Sequence, residues 1–128
     1  MKTDKVIDGV LIKATRPKAG EHYVWPEGVT KIGGYAFYYW TSFNQPFSIH
    51  ESVTEIGEWA FYNWTAFNQP NSRRAKATNE WLRIDNWVFA GCYSGKLEQL
   101  RKMLDDGEST PKRETAWKMI SKPFGKQK

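Results

Sequence analysis

Residues 26–46 (PEGVTKIGGYAFYYWTSFNQP) and 50–70 (HESVTEIGEWAFYNWTAFNQP) repeat one another at a spacing of 24, with 14 of 21 positions identical. A period of this length points to stacked units, because a single unit of about 20–50 residues cannot bury its own apolar face. The matched pairs Phe37/Phe61, Trp40/Trp64 and Phe43/Phe67 are then expected to lie over one another as aromatic ladders. Within each unit, Val-Thr-x-Ile followed by Gly reads as a short strand entering a tight turn. Asn44/Asn68 and Gln45/Gln69 carry amides suited to pairing with backbone at a bend, and Pro46/Pro70 would fix that bend.

Aromatic residues make up 16% of the 128 residues, so rings supply much of the burial that leucine usually provides. A third, worn copy follows at an offset of 28: Trp81-Leu82-Arg83-Ile84 stands for Val-Thr-x-Ile, Val88-Phe89 for Ala-Phe, and Cys92 for Trp40/Trp64. The extra residues fall in Asn71–Glu80, which reads as a polar, basic loop.

The pattern P-x-x-V-T-x-I-G-x-x-A-F resembles the BspA-like leucine-rich repeats. T-S-F-N-Q-P and T-A-F-N-Q-P are similar to bacterial surface-protein repeats rich in F-N-Q. The resemblance covers about residues 7–92 and departs from the family at three kinds of position. Trp40 and Trp64 replace the usual Cys, Phe43 and Phe67 the usual Leu, and His50 a Pro. It implies adhesion or protein binding without catalysis.

The expected fold is α+β in one domain: a short leucine-rich-repeat-like β-solenoid of two clear coils and one degenerate coil. Residues 5–25 would form an N-terminal hairpin cap, with a turn at Asp8-Gly9 and a second β-prone run at 22–25. After repeats at 26–70, an insertion at 71–80 and the worn copy at 81–95, a helical cap spans 96–122 and a basic tail 123–128. The helical reading rests on Leu97, Leu100 and Leu104, and on Thr110-Pro111 as a helix start with an apolar face at Ala116, Trp117 and Ile120.

No catalytic centre, metal site or cofactor site emerges. Gly91-Cys92-Tyr93-Ser94-Gly95-Lys96 is one residue short of a phosphate-binding loop and has Leu97 where Ser or Thr is needed. Cys92 has only His22 and His50 as possible bases, and it reads as a small core residue. A single cysteine excludes an internal disulfide. The N-terminal residues lack an apolar signal-like run, so a cytoplasmic location is expected, with the sequon at Asn63-Trp64-Thr65 a chance match.

Two binding functions remain. In the first, residues that differ between copies contact a partner protein: Lys31/Glu55, Tyr35/Trp59 and Tyr39/Asn63. Tyr35 and Trp59 are either exposed anchors or partly buried ladder members. Size and family habit suggest an accessory or phage-type factor acting on a host protein. The alternative is nucleic-acid binding. Residues 71–128 hold thirteen Lys/Arg against seven Asp/Glu, and Arg73, Arg74, Lys76, Arg101, Lys102, Lys112 and Arg113 are the candidate phosphate contacts.

Overall fold

The computed structural model describes residues 4–77, 79–90 and 93–124. Strands β1 (Lys5–Ile7) and β2 (Val10–Lys13) form an antiparallel hairpin. Its two-residue turn, Asp8-Gly9, has φ of 51° and 80°, the left-handed pair that matches strand twist. From β2 the sheet continues in parallel through β3 (Lys31–Ile32) and β4 (Glu55–Ile56), one short strand per repeat. Leu11, Ile32 and Ile56 line up inward, all buried. The glycine after each strand is required by this close approach. A Cβ on Gly57 would lie 2.5 Å from the Gly34 nitrogen.

Behind these strands the aromatic ladders form as expected. Phe37 stacks on Phe61 at 4.8 Å and 8°, Trp40 on Trp64 at 5.6 Å and 7°, and Phe43 on Phe67 at 6.2 Å and 2°. Trp64 also donates its indole N–H to the Phe37 carbonyl at 2.6 Å. The bends are tied together by side-chain amides: Asn44 Oδ1 accepts from Asn68 N and Gln69 Nε2, both at 2.8 Å.

The expected solenoid is overturned: the strands form two separate four-stranded sheets. Residues that were to form the insertion and the third coil instead build a separate antiparallel sheet, β5 (Ser72–Lys76), β6 (Glu80–Ile84), β7 (Trp87–Ala90) and β8 (Tyr93–Lys96), in sequential order. Asp85-Asn86 makes the chain reverse between β6 and β7, with Asp85 at φ 54°. A coil would have kept it running parallel to β4. Asp85 then anchors the new sheet, accepting from Ile49 N at 2.8 Å and Asn71 Nδ2 at 2.9 Å. The mixed α+β class stands; the degenerate coil does not.

The sheet is buried on both faces, so residues 81–84 are all buried. One face carries Leu82, Ile84, Trp87 and Phe89 into the aromatic core, where Phe89 sits 4.5 Å from Phe61. The other places Trp81 and Val88 with Leu100, Leu104, Ala116 and Ile120 of the helical layer. The helices therefore cover the sheet, whereas the sequence suggested that they would cover the open end of a repeat stack.

At the opposite end the hairpin expectation needs a second correction. Residues 22–25 form no strand. Tyr23 and Trp25 pack edge-on or tilted against Phe37 at 5.2 and 5.6 Å. The Tyr23 hydroxyl donates to Asp4. Its burial and that carboxylate push its pKa well above the usual tyrosine range.

Helix α1 (Leu97–Met103) runs into a π-helical turn, Leu104–Glu108, kinked at Gly107 with φ 119°. Helix α2 (Pro111–Ile120) starts at Thr110, whose hydroxyl accepts from Arg113 N at 3.1 Å. That cap satisfies one of the otherwise unpaired N–H groups of the first turn. Arg101 joins the two helices by a fork to Glu114 (3.0 and 2.9 Å) and a contact to Asp105 (2.7 Å).

The Arg101 bond, with help from Ser109, holds the Glu114 pKa down at about 2 against an ordinary 4.5. A depressed carboxylate pKa stabilises the folded state above 4.5 and ceases to do so as pH falls toward 2. The melting temperature should therefore drop over that interval, and Glu114→Gln should flatten the drop. An equal acid slope in both proteins would remove this pair from the explanation.

Candidate functional site

Four non-glycine residues in the repeats occupy left-handed backbone: Tyr35 (φ 65°), Tyr39 (63°), Trp59 (60°) and Asn63 (65°). They are two of the three variable pairs singled out from the sequence. This conformation costs an L-residue about 1–2 kcal/mol, and glycine or asparagine takes it most readily. Three of the four positions nevertheless hold large rings.

The left-handed turns lift these side chains outward. Tyr35 is 54% exposed and Tyr39 48%, while Trp59 and Asn63 are half-buried. Tyr38 and Tyr62 join them: Tyr38 stacks on Tyr62 at 5.5 Å and 16°, touches Tyr35 at 5.0 Å, and Trp59 meets Tyr62 edge-on at 5.0 Å. The result is a surface ridge of five rings. Tyr38 and Tyr62 are identical in the two copies. Their position directly after the buried Phe was the available signal that they face the other way. The Tyr38 hydroxyl is pushed up to about 12, first by its bond with Tyr39 and then by partial burial, so it stays neutral at physiological pH.

Beside the ridge lies a cleft of about 490 Å³ between residues 59–64 and the inner face of the antiparallel sheet. Its far wall is a row that crosses the sheet strand by strand: Arg74 opposite Leu82, Leu82 opposite Phe89, Phe89 opposite Ser94. Ser94 Oγ donates to the Gly57 carbonyl at 3.1 Å. Lys76, Asn79 and Glu80 also line the cleft.

A match to the family model of the BspA type leucine rich repeat region (6 copies) extends over residues 19–104. The chain belongs to the BspA-type leucine-rich repeat family. No curated protein and no solved structure matches it. Within this BspA-type chain two copies form the parallel ladder, and the matched region runs on through the antiparallel sheet into α1. No helix among the described residues is long and apolar enough to cross a membrane, and no cluster of three metal-ligating side chains occurs among them.

The remaining candidates are distributed as follows. Lys31 and Glu55, neighbours in the parallel ladder, face each other across 3.6 Å on the exposed strand side. Arg73 and Arg74 do not sit on a loop but on β5. Arg73 donates to the carbonyls of Lys122 (2.9 Å) and Pro123; Arg74 to those of Trp64 and Phe67 (3.0 Å). Arg101 holds Glu114, Lys102 meets Asp106 at 3.0 Å, and Arg113 meets Glu108 at 3.3 Å. Among the described residues, Lys76 and Lys112 alone of these seven cations have no side-chain hydrogen bond or ion pair. Cys92 lies outside the described residues, and so do the terminal lysines.

Arg83, not singled out from the sequence, is the most buried charged residue among the described residues, 8% exposed. It donates to the carbonyls of Asp85 (2.7 Å), Ile120 and Lys122 (both 3.0 Å), with Phe124 4.2 Å beneath its guanidinium.

Proposed function

We propose that this chain is a non-catalytic protein-binding module that recognises its partner through the five-ring ridge. The observation that carries this reading is the presence of large aromatic residues at left-handed positions. Strained backbone of this kind persists where something other than stability keeps it. Tyrosine and tryptophan are favoured interface anchors, since each brings a large apolar surface with a polar tip and few rotatable bonds. Commitment of five of the seven candidate cations to partners inside the chain occupies many of the donors that phosphates would need. It favours a protein over a nucleic acid.

The double substitution Tyr35→Gly with Tyr39→Asn separates binding from folding. Relief of the left-handed strain offsets the lost ring contacts and added unfolded-state freedom, so stability should change by less than about 1 kcal/mol. A partner captured from nuclease-treated extract, identified and purified, should bind the variant at least tenfold more weakly. Unchanged affinity, or a collapsed thermal transition in the variant, would return these rings to a packing role.

A further inference from the structure

In the first repeat, the N–H groups of Tyr35, Phe37 and Tyr39 donate to the carbonyls of Glu58, Ala60 and Tyr62 at 3.1, 2.8 and 2.9 Å. Twenty-four residues on, the same donors are the N–H groups of Trp59, Phe61 and Asn63. None of the three has an acceptor among the described residues. The backbone that aims them is the same, with left-handed φ at Trp59 and Asn63 as at Tyr35 and Tyr39. Their residues line the cleft beside the antiparallel sheet. Phe61 is buried, and a buried N–H seldom goes without a partner. Where a third coil would have supplied carbonyls, the chain has turned away into β6 and β7.

We propose that this cleft receives a segment of the partner polypeptide folded like residues 57–63, whose carbonyls at residues i, i+2 and i+4 accept from Trp59, Phe61 and Asn63. The inference rests on the protein-binding reading above and names where and how the partner docks. Donors at alternate residues of this turn backbone match the carbonyls that Glu58, Ala60 and Tyr62 present to the first repeat. A lone anion would engage neighbouring donors instead.

The repeats also specify the segment's side chains. In the observed rung the second acceptor residue is the small Ala60, and the third is Tyr62, stacked on Tyr38. Phe89 already fills the column next to Phe61, so the partner needs no large residue there. A small residue at i+2 and an aromatic at i+4, laid over Tyr62, complete the fit. Lys76, exposed at the cleft, complements a carboxylate at the segment's i position, where the repeat has Glu58.

The test uses the full-length, isotope-labelled protein and the blocked peptide Gly-Glu-Trp-Ala-Ala-Tyr-Asn, the chain's own residues 57–63 with alanine at the Phe61 position that Phe89 already fills, with a scrambled peptide as control. In the free protein the amides of Trp59, Phe61 and Asn63 should exchange with solvent at least tenfold faster than those of Tyr35, Phe37 and Tyr39. Peptide, but not its scramble, should slow these three at least tenfold and leave Tyr62, bonded within its own turn to the Trp59 carbonyl, unchanged. Lys76→Glu should weaken the peptide at least fivefold. Three amides already protected in the free protein would overturn the proposal, as would millimolar peptide that leaves them unaltered. Peptide-induced shifts confined to the Tyr35 and Tyr39 rings would overturn the cleft while leaving the ridge as the binding surface.

Discussion

Trp64→Ala is expected to be the most damaging single substitution in the repeats, at about 4 kcal/mol and a fall in melting temperature of about 15 °C. Trp64 is 1% exposed and packs against Trp40, Phe43, Phe47, Phe61 and Phe67. Truncation removes a large apolar side chain from between the two phenylalanine ladders, and the rings around it are too rigid to collapse into the space. It also strands the Phe37 carbonyl, which accepts the indole N–H. Trp64→Phe divides the two effects: it keeps a ring in the ladder but loses the donor, so it should cost less than half as much. Denaturant unfolding of the three proteins checks this. Equal midpoints for wild type and the alanine variant would mean that the ladders do not hold the fold.

Arg83→Met should destabilise by about 3 kcal/mol although it preserves side-chain length and apolar volume. The guanidinium serves three carbonyls on two elements, and Phe124 lies against its face. Burial lowers the arginine pKa, a sign that the charge is costly here unless those acceptors repay it. With methionine in its place, Ile120 and Lys122 must find water, and the end of α2 must lift from β6 to reach it. Limited proteolysis should therefore cut near residues 120–124 in the variant well before the repeats unfold. A variant as resistant as wild type would show that helix packing alone seats α2.

The repeat and its ladders were legible because identical residues at a fixed spacing must meet identical neighbours. Replacement of the third coil by a sheet was not. Trp81-Leu82-Arg83-Ile84 fits both Val-Thr-x-Ile and a strand buried on two faces, and only Asp85-Asn86, a two-residue turn between β-prone runs, distinguishes them. The ridge was half legible: variation between copies pointed to Tyr35, Tyr39, Trp59 and Asn63, whereas left-handed backbone under tyrosine and tryptophan contradicts their local preference. The roles of Arg73, Arg74 and Arg83 were hidden for another reason. Their acceptors are backbone carbonyls, several of them about 40–50 residues away in sequence, and carbonyls leave no trace in side-chain identity.

One consequence of the capping sheet concerns evolution by duplication. Its ring contact, Phe89 on Phe61, and its bonds through Ser94 and Arg74 all fall on the second copy, and the hairpin end of the ladder meets the first. A unit duplicated between them would present to each side nearly the surface it already recognises. The termini of the ladder are thus specialised while its middle is interchangeable. Chains of this kind can change length by whole 24-residue steps without redesigning either end.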